Sequence, residues 1–497
     1  MTSRDRFVAR AARLATISLA AGGAGALLAM LYFFYHYVWA GSRQFTSWVG
    51  VVQYLVIPAG VALLLFASLR LAPNARINLA LVGLSVVVSV YSFELFLRLT
   101  RDPLAIPRAS LMRLLGGAKD RKAMAAYLSR RLGVEIDGRH GLELLADLRN
   151  TGIDAVPSVI PRLQLNYQDD PARPRLFALG GISSKTTMLC NESGQYVRYE
   201  ADEHGFHNPA GLFKAAGIEI AALGDSYTQG YCVPSEKGFV ALIRQRYPAT
   251  LNLGMAGNGP LSMLGTLMEY AAPVRPAVVL WFYFEGNDLL DLKDERRSPV
   301  LTRYLEDDFS QGLRGRQAEV DLALLEMVER ERARETKRRA ERARRRSWLR
   351  EDLPSFIKLS TLRPRIGLVH GEDTEELESV ADMESVRLPL LRDVLSKAKS
   401  RVSGWGGTLY LVYLPGWPRD EDGLIAPEQQ RPHVLALARD LGLPVVDPLP
   451  RFRERPDPLS LVPLRLPGSH YNEEGHRLVA DEVLRVLGTR QGAGAPR

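Results

Sequence analysis

The chain has 497 residues, 46% of them hydrophobic and 24% charged, which is the make-up of a folded protein with a sizeable core and room for two or three domains. The formal charge of +8 comes with no nucleic-acid motif and fits basic membrane flanks plus one Arg-rich segment, so nucleic acid is excluded as an expected partner. The two cysteines, Cys190 and Cys232, are spaced wrongly for a zinc site.

Three apolar stretches of about 20 residues open the chain, roughly 15–38, 49–69 and 78–97, each long enough to cross a bilayer core as a helix. Aromatic residues from Tyr32 to Trp39 crowd the end of the first, as at a membrane interface. Glu94 sits in the third, near its end and in reach of Arg98. The N-terminal arm carries Arg4, Arg6, Arg10 and Arg13, the first loop only Arg43, and the second loop Arg70 and Arg76. That bias puts the N-terminus inside and, after three spans, the rest of the chain outside. Arg98, Arg101, Arg108 and Arg113 argue weakly for the reverse. The expected location is a bacterial inner membrane, with the soluble part in the periplasm.

Residues 101–175 read as a linker or small mixed region, with short amphipathic helices at "DRKAMAAYLSRRLG" and "GLELLADLRNTG" and an extended, Pro-rich "AVPSVIPRLQL". Strands and helices then alternate. "IEIAAL", "TLNLG", "AVVLWFYFEG", "GTLYLVYLP" and "LPVVDP" are apolar strands, and "EKGFVALIRQRY", "SMLGTLMEYA", "RPHVLALARDLG" and "EEGHRLVADEVLRVLG" are helices. Continuous apolar strands between helices predict a parallel sheet covered on both faces, with the site at the strand ends. Residues 316–350, free of Pro and with many Glu/Arg pairs, predict a long solvated helix. Its arginines, Arg338, Arg339, Arg342 and Arg344 to Arg346, also suit an anionic polymer or lipid headgroups. The expected division is a membrane region over 1–100, the mixed region over 101–175, an α/β domain over 176–490 with a charged insertion at about 300–385, and a disordered tail over 491–497.

Four stretches carry the chemistry. Gly224-Asp225-Ser226 follows the first strand, where a serine is presented beside free backbone N–H groups. "LNLGMAGNGP" places Gly257 and Asn258 in a second strand-end turn, where glycine leaves an N–H free to donate. "FEGND" places Glu285 and Asn287 at a third. "PGSHYNEEGH" places His470 before a helix that Asn472 can cap. No Lys-Ser/Thr follows "GMAGNGP", so a phosphate cradle is discounted.

These blocks, in this order, resemble the SGNH (GDSL-type) hydrolase superfamily of esterases and O-acyl carbohydrate enzymes over about 215–490. The resemblance implies a flavodoxin-like three-layer α/β/α sandwich with a parallel sheet and no cofactor. It implies Ser226 as nucleophile, His470 as general base, and an oxyanion hole from the Ser226 and Gly257 N–H groups and the Asn287 side chain. The acid that orients the histidine in this superfamily usually lies three residues before it, where this chain has Pro467. A Ser–His dyad, a backbone carbonyl, a carboxylate from elsewhere such as Asp457 or Glu454, or an inactive protein all remain open. Glu285, where the superfamily often has glycine, faces either the site or solvent. His476 is expected to pack against the sheet and Asp225 to fix the turn. The stretch 199–211 reads as a lid, a site rim or a plain leading loop. Cys190 and Cys232 are expected to form a disulfide tying the leading segment to the nucleophile loop.

The expected activity is hydrolysis of O-acyl esters, in particular O-acetyl esters of envelope or exported polysaccharide. An O-acetyltransferase working with a membrane acyl-transfer partner, and an inactive glycan-binding or scaffold protein, are the alternatives.

Overall fold

The computed structural model describes residues 3–35, 51–100, 110–117, 120–167, 176–215, 217–345, 352–357, 359–362, 386–417 and 427–493. The chain divides into two compact units, 1–102 with 339–375, and 103–338 with 376–497.

The first unit holds the helices Ser3–Phe34, Ile57–Ser68 and Pro73–Leu99. Among the described residues two helices, Arg6–Phe34 and Pro73–Leu99, are long and apolar enough to cross a membrane. The middle stretch differs from expectation. It is a shorter apolar helix, Tyr54–Ser68, ended by a turn before Pro73, and its first residues lie outside the described ones. The helices meet through small residues: a Cβ added to Gly22 or Gly23 would lie 3.2 Å from Leu65 or 3.1 Å from the Phe66 ring. Arg76 donates to Thr16 Oγ1 at 2.8 Å, and Leu28, Leu63, Leu64, Val82 and Leu84 stay exposed. Glu94 is fully buried, paired with Arg98 at 2.6 Å, and accepts the backbone N–H groups of Thr361 (3.1 Å) and Leu362 (2.7 Å).

The second unit starts with helices Leu111–Gly117, Arg121–Leu132 and Gly141–Asn150, followed by a small sheet. In that sheet β1 (Ala155–Pro157) runs parallel to β2 (Thr186–Met188), which pairs antiparallel with β3 (Arg198–Glu200). The Pro-rich stretch read as an extended linker therefore holds a strand and a 3-10 turn, Pro161–Tyr167. The main sheet consists of β4 (Ile220–Gly224), β5 (Thr250–Gly254), β6 (Val278–Phe284), β7 (Thr408–Leu414) and β8 (Val445–Val446). Its order is β5-β4-β6-β7-β8 and every pairing is parallel. This is the flavodoxin-like order, with the first crossover going one way and the later ones the other, so the crevice opens at the carboxyl ends of β4, β5 and β6.

Side-chain alternation explains the three layers. On β6, Val279, Trp281 and Tyr283 enter one core, while Leu280 and Phe282 enter the other. On β7, Leu409, Leu411 and Tyr413 join the first, and Tyr410, Val412 and Leu414 the second. Strands buried on both faces need no polar side, which is why they read as unbroken apolar runs. The charged helix spans Gln317–Arg345, but one face of its first half is not solvated: Val320, Leu324 and Met327 recur at helical spacing and are buried in the first core. Of the arginines singled out in it, Arg346 lies outside the described residues. The last helix, Glu473–Ala493, continues into the stretch expected to be a disordered tail.

Candidate active site

β4 ends at Gly224, and a four-residue helix, Ser226–Gln229, starts immediately. Asp225 caps it, accepting the Tyr227 N–H at 2.9 Å. A Cβ at Gly224 would meet Thr228 Oγ1 at 2.1 Å, so glycine is needed for the chain to turn this tightly. Asp225 is 1% exposed; burial pushes its carboxyl up to about 6 against the Tyr227 hydrogen bond. That bond fixes the turn that presents Ser226.

Ser226 Oγ lies 2.9 Å from His470 Nε2. His470 sits just before the Glu473–Ala493 helix, where Asn472 Oδ1 accepts the N–H groups of Glu474 and Gly475, each at 3.1 Å. On the far side of the ring, Nδ1 lies 3.1 Å from Glu192 Oε1, and the His470 backbone N–H donates to Glu192 Oε2 at 2.7 Å. One carboxylate thus grips both the ring and the main chain. With Glu192 accepting from Nδ1–H, Nε2 is left as the acceptor facing the serine. Burial opposes ionisation of Glu192, but the His470 charge and the two hydrogen bonds outweigh it and hold the carboxyl below its usual range. Burial likewise favours the neutral His470 ring, yet Glu192, by charge and hydrogen bond, and then Asp225 raise its pKa above the ordinary imidazole value.

Glu192 is the residue that sequence reasoning missed. The carboxylates considered for this position stand elsewhere: Asp457 caps a 3-10 turn through the Leu459 N–H at 3.1 Å, and Glu454 pairs with Arg451 at 3.5 Å. Neither a dyad nor a backbone carbonyl describes the arrangement. The available signal was Cys190, two residues before Glu192. Cys190 and Cys232 form a disulfide, with Cα atoms 5.3 Å apart.

The other strand-end turns approach the same corner. Gly257 has φ +76°, and a Cβ there would strike Ile160 at 2.6 Å, so the turn requires glycine twice over. The Ala256 N–H donates to Gln229 Oε1 at 3.0 Å, and the Met255 N–H donates to the Gly224 carbonyl at 3.1 Å, tying this turn to the Ser226 helix. Glu295 pins its far side by accepting the N–H groups of Gly259 (2.8 Å) and Leu261 (2.9 Å). The Asn287 amide reaches Asp225 Oδ2 at 3.5 Å, beside the serine turn. Asn258 is fully buried, and its side chain has no hydrogen-bond partner among the described residues.

Glu285 and His476 are engaged elsewhere. Glu285 is not in solvent; it is 1% exposed and accepts the Gly416 N–H at 2.5 Å at the end of β7. His476 packs against Phe239 and accepts its N–H at 3.2 Å, and burial pushes its pKa down to about 3. The 199–211 stretch is no lid: Asp202, Phe206 and Asn208 are buried, and Asn208 donates to the Asn252 carbonyl at 2.9 Å. His207 Nδ1 lies 2.8 Å from the Gln229 carbonyl, so this stretch braces the Ser226 helix from behind. Among the described residues Glu192, Cys232 and His470 form a group with metal-ligand types, but the Cys232 sulfur is bonded to Cys190 and offers no thiolate.

No protein-family model and no curated protein matches this chain. Solved structures similar to it are GDSL/SGNH lipolytic proteins and esterases. A lipase/acylhydrolase from Enterococcus faecalis is 13% identical, with 55% of this chain and 96% of that one covered and a TM-score of 0.30. A member of the lipolytic protein G-D-S-L family from Veillonella parvula is 16% identical, covering 55% and 99%, with a TM-score of 0.26. A mutant acetyl-xylooligosaccharide esterase from Geobacillus is 14% identical, covering 55% and 95%, with a TM-score of 0.30.

Proposed function

We propose that the second unit is an SGNH-type serine ester hydrolase whose triad is Ser226, His470 and Glu192. The observation that carries this reading is the continuous hydrogen-bond chain from Ser226 Oγ through both ring nitrogens of His470 to a buried carboxylate. Serine is a poor nucleophile until a base takes its proton, and His470 Nε2 is at hydrogen-bond distance to do so. Ser226 Oγ attacks the ester carbonyl carbon as its proton passes to Nε2. Glu192 keeps Nδ1 protonated and stabilises the imidazolium that forms. The carbonyl oxygen becomes an oxyanion, received by the Ser226 and Gly257 N–H groups and the Asn287 amide, a donor being worth about 2.7–4 kcal/mol in such holes. His470 then protonates the departing alcohol. Water, activated by the same nitrogen, cleaves the acyl-enzyme and frees Ser226.

The substrate in this reading is an O-acyl ester, with an O-acetylated carbohydrate favoured. In support, the Tyr231 ring lies 5.1 Å from the His470 ring and is only partly buried, which places an aromatic face beside the base for a sugar to lie against. The apolar helices of the first unit serve as a membrane anchor. The disulfide supports exposure of the second unit to an oxidising compartment such as the periplasm.

The test is fluorophosphonate labelling with mapping of the modified residue, together with hydrolysis of p-nitrophenyl acetate, in parent, Ser226→Ala and His470→Ala. The expected result is label on Ser226 only and loss of turnover in both variants. Equal turnover in the three folded proteins would sink the proposal. Adding acetylated oligosaccharide and a sugar acceptor separates release of acetate from transfer to the acceptor.

A further inference from the structure

Glu192 belongs to no strand of the main sheet, which raises the question of what holds it on His470. Its segment is a short reversal closed by two backbone bonds, Leu189 N–H to the Val197 carbonyl at 2.8 Å and Val197 N–H to the Cys190 carbonyl at 2.9 Å. Beyond those, Asn191 Nδ2 donates to the Asp137 carbonyl at 2.9 Å, and the Asp137 N–H donates to the Gly194 carbonyl at 2.7 Å. All are neutral hydrogen bonds, two within the reversal and two to the segment around Asp137. The covalent restraint is the Cys190–Cys232 bond.

Cys232 is well placed for that purpose. It follows the Ser226–Gln229 helix, whose end is closed by Gly230 in the left-handed region and by the Tyr231 N–H donating to the Ser226 carbonyl at 2.9 Å. Tyr231, one residue away, packs on His470. Cys232 itself has φ +65°, a region unfavourable to any residue with a Cβ, so its conformation needs a restraint from outside its own backbone. Both cysteines are 1% exposed and packed with Leu189, Tyr199 and Ala201. A short covalent path therefore joins the acid's loop to the serine's helix: Glu192, Asn191, Cys190, Cys232, Tyr231.

We infer that the Cys190–Cys232 cystine is the positioning device of the acid, so that the rate of the Ser226 reaction depends on the oxidation state of this pair. The inference rests on the triad reading above. Reduction by a dithiol or a phosphine supplies two electrons; the S–S bond breaks, two protons are taken up and two thiols result. The loop is then left with hydrogen bonds and side-chain packing, without a covalent tie. Glu192 keeps its attraction to the imidazolium but not a single geometry. Because a displacement of about 1 Å in catalytic machinery costs on the order of 100-fold, the expected loss is partial and falls on kcat. Such an enzyme reaches full activity only after thiol oxidation, by exchange with another disulfide.

The test uses the full chain, folded and in detergent, with p-nitrophenyl acetate as probe. Parent, Cys190→Ser/Cys232→Ser, Glu192→Gln and the combined variant are compared for kcat, KM, thermal midpoint and pH–rate profile. The titratable groups around His470 are Glu192, Asp225, Tyr227, Tyr231 and, behind it, His476. Loss of the cystine is expected to lower kcat roughly 10–100-fold with KM near that of the parent. The acid limb should move to lower pH, because Glu192 no longer holds the His470 proton as firmly. In the Glu192→Gln background the same double substitution should cost nothing further, since there is no carboxylate left to position. An equal loss in both backgrounds, or no loss in the parent, overturns the inference. If the cysteine variant does not fold, the parent is reduced with a phosphine until both thiols alkylate, then reoxidised with oxidised glutathione. Fall and recovery of kcat support the inference, and unchanged turnover with both thiols free overturns it. Full activity in Ser226→Ala or Glu192→Gln would instead remove the triad reading itself.

Discussion

The serine and the acid of this site are held by different means. Ser226, Gly257 and Asn287 stand at the carboxyl ends of β4, β5 and β6, where parallel pairing fixes where each strand stops. Glu192 stands on a loop outside that sheet, fixed by a cystine and a few loop-to-loop hydrogen bonds. A sheet supplies position through its register, so its turns can be located from apolar runs and glycines alone. A loop supplies position only through contacts with distant residues. Positions of the first kind should tolerate changes elsewhere in the chain, and those of the second kind should depend on them.

The largest effect is expected at the serine. Ser226→Ala and His470→Ala should each lower kcat by up to roughly 10⁶-fold, measured on purified protein with matched melting curves. Glu192→Gln should cost roughly 10⁴-fold, because the amide can favour the wrong imidazole tautomer, and it should shift the acid limb of kcat/KM downward. The sign follows from the ring. His470 must be neutral to act as base, its pKa is raised chiefly by Glu192 against burial, and so parent activity is lost as pH falls through a value above the ordinary imidazole one. A limb unmoved by the substitution would mean that Glu192 does not act through His470. Asn287→Ala should lower kcat by roughly 10²–10³-fold with KM little changed, the mark of a donor used in the transition state. Glu285→Gln should leave kcat/KM within roughly threefold while lowering the thermal midpoint, because its buried carboxylate accepts the Gly416 N–H. A catalytic collapse there would blur the line between the site and the sheet that carries it.

The sequence made much of the sheet legible. "IEIAAL", "TLNLG", "AVVLWFYFEG" and "GTLYLVYLP" each correspond to a strand because both faces are buried, and nothing in them competes for another structure. The glycine before Asp225 and Gly257 marked turns that a Cβ would block. Three things were not legible, each for a tertiary reason. The acid is 278 residues from its histidine, and no local pattern encodes that meeting. The charged helix hides an apolar stripe, Val320, Leu324 and Met327, among residues whose composition reads as solvated. The middle membrane stretch has the composition of a span, yet among the described residues it is a shorter apolar helix. Pro467 was the informative departure: it left a dyad, a backbone carbonyl, a carboxylate from elsewhere and an inactive protein all open, and only the fold brings Glu192 against His470.

That the acid precedes β4 bears on how such a protein could be divided or recombined. A gene fragment beginning near residue 212 encodes every strand of the five-stranded sheet, the serine and the histidine, yet leaves the carboxylate behind. Exchange of such fragments between genes would separate Ser226 and His470 from Glu192, and would also leave behind Val156, Phe177, Leu179 and Phe206, which pack in the first core. The unit that has to be inherited together therefore reaches upstream of the sheet at least to Asp137, the residue whose backbone grips the loop of Glu192.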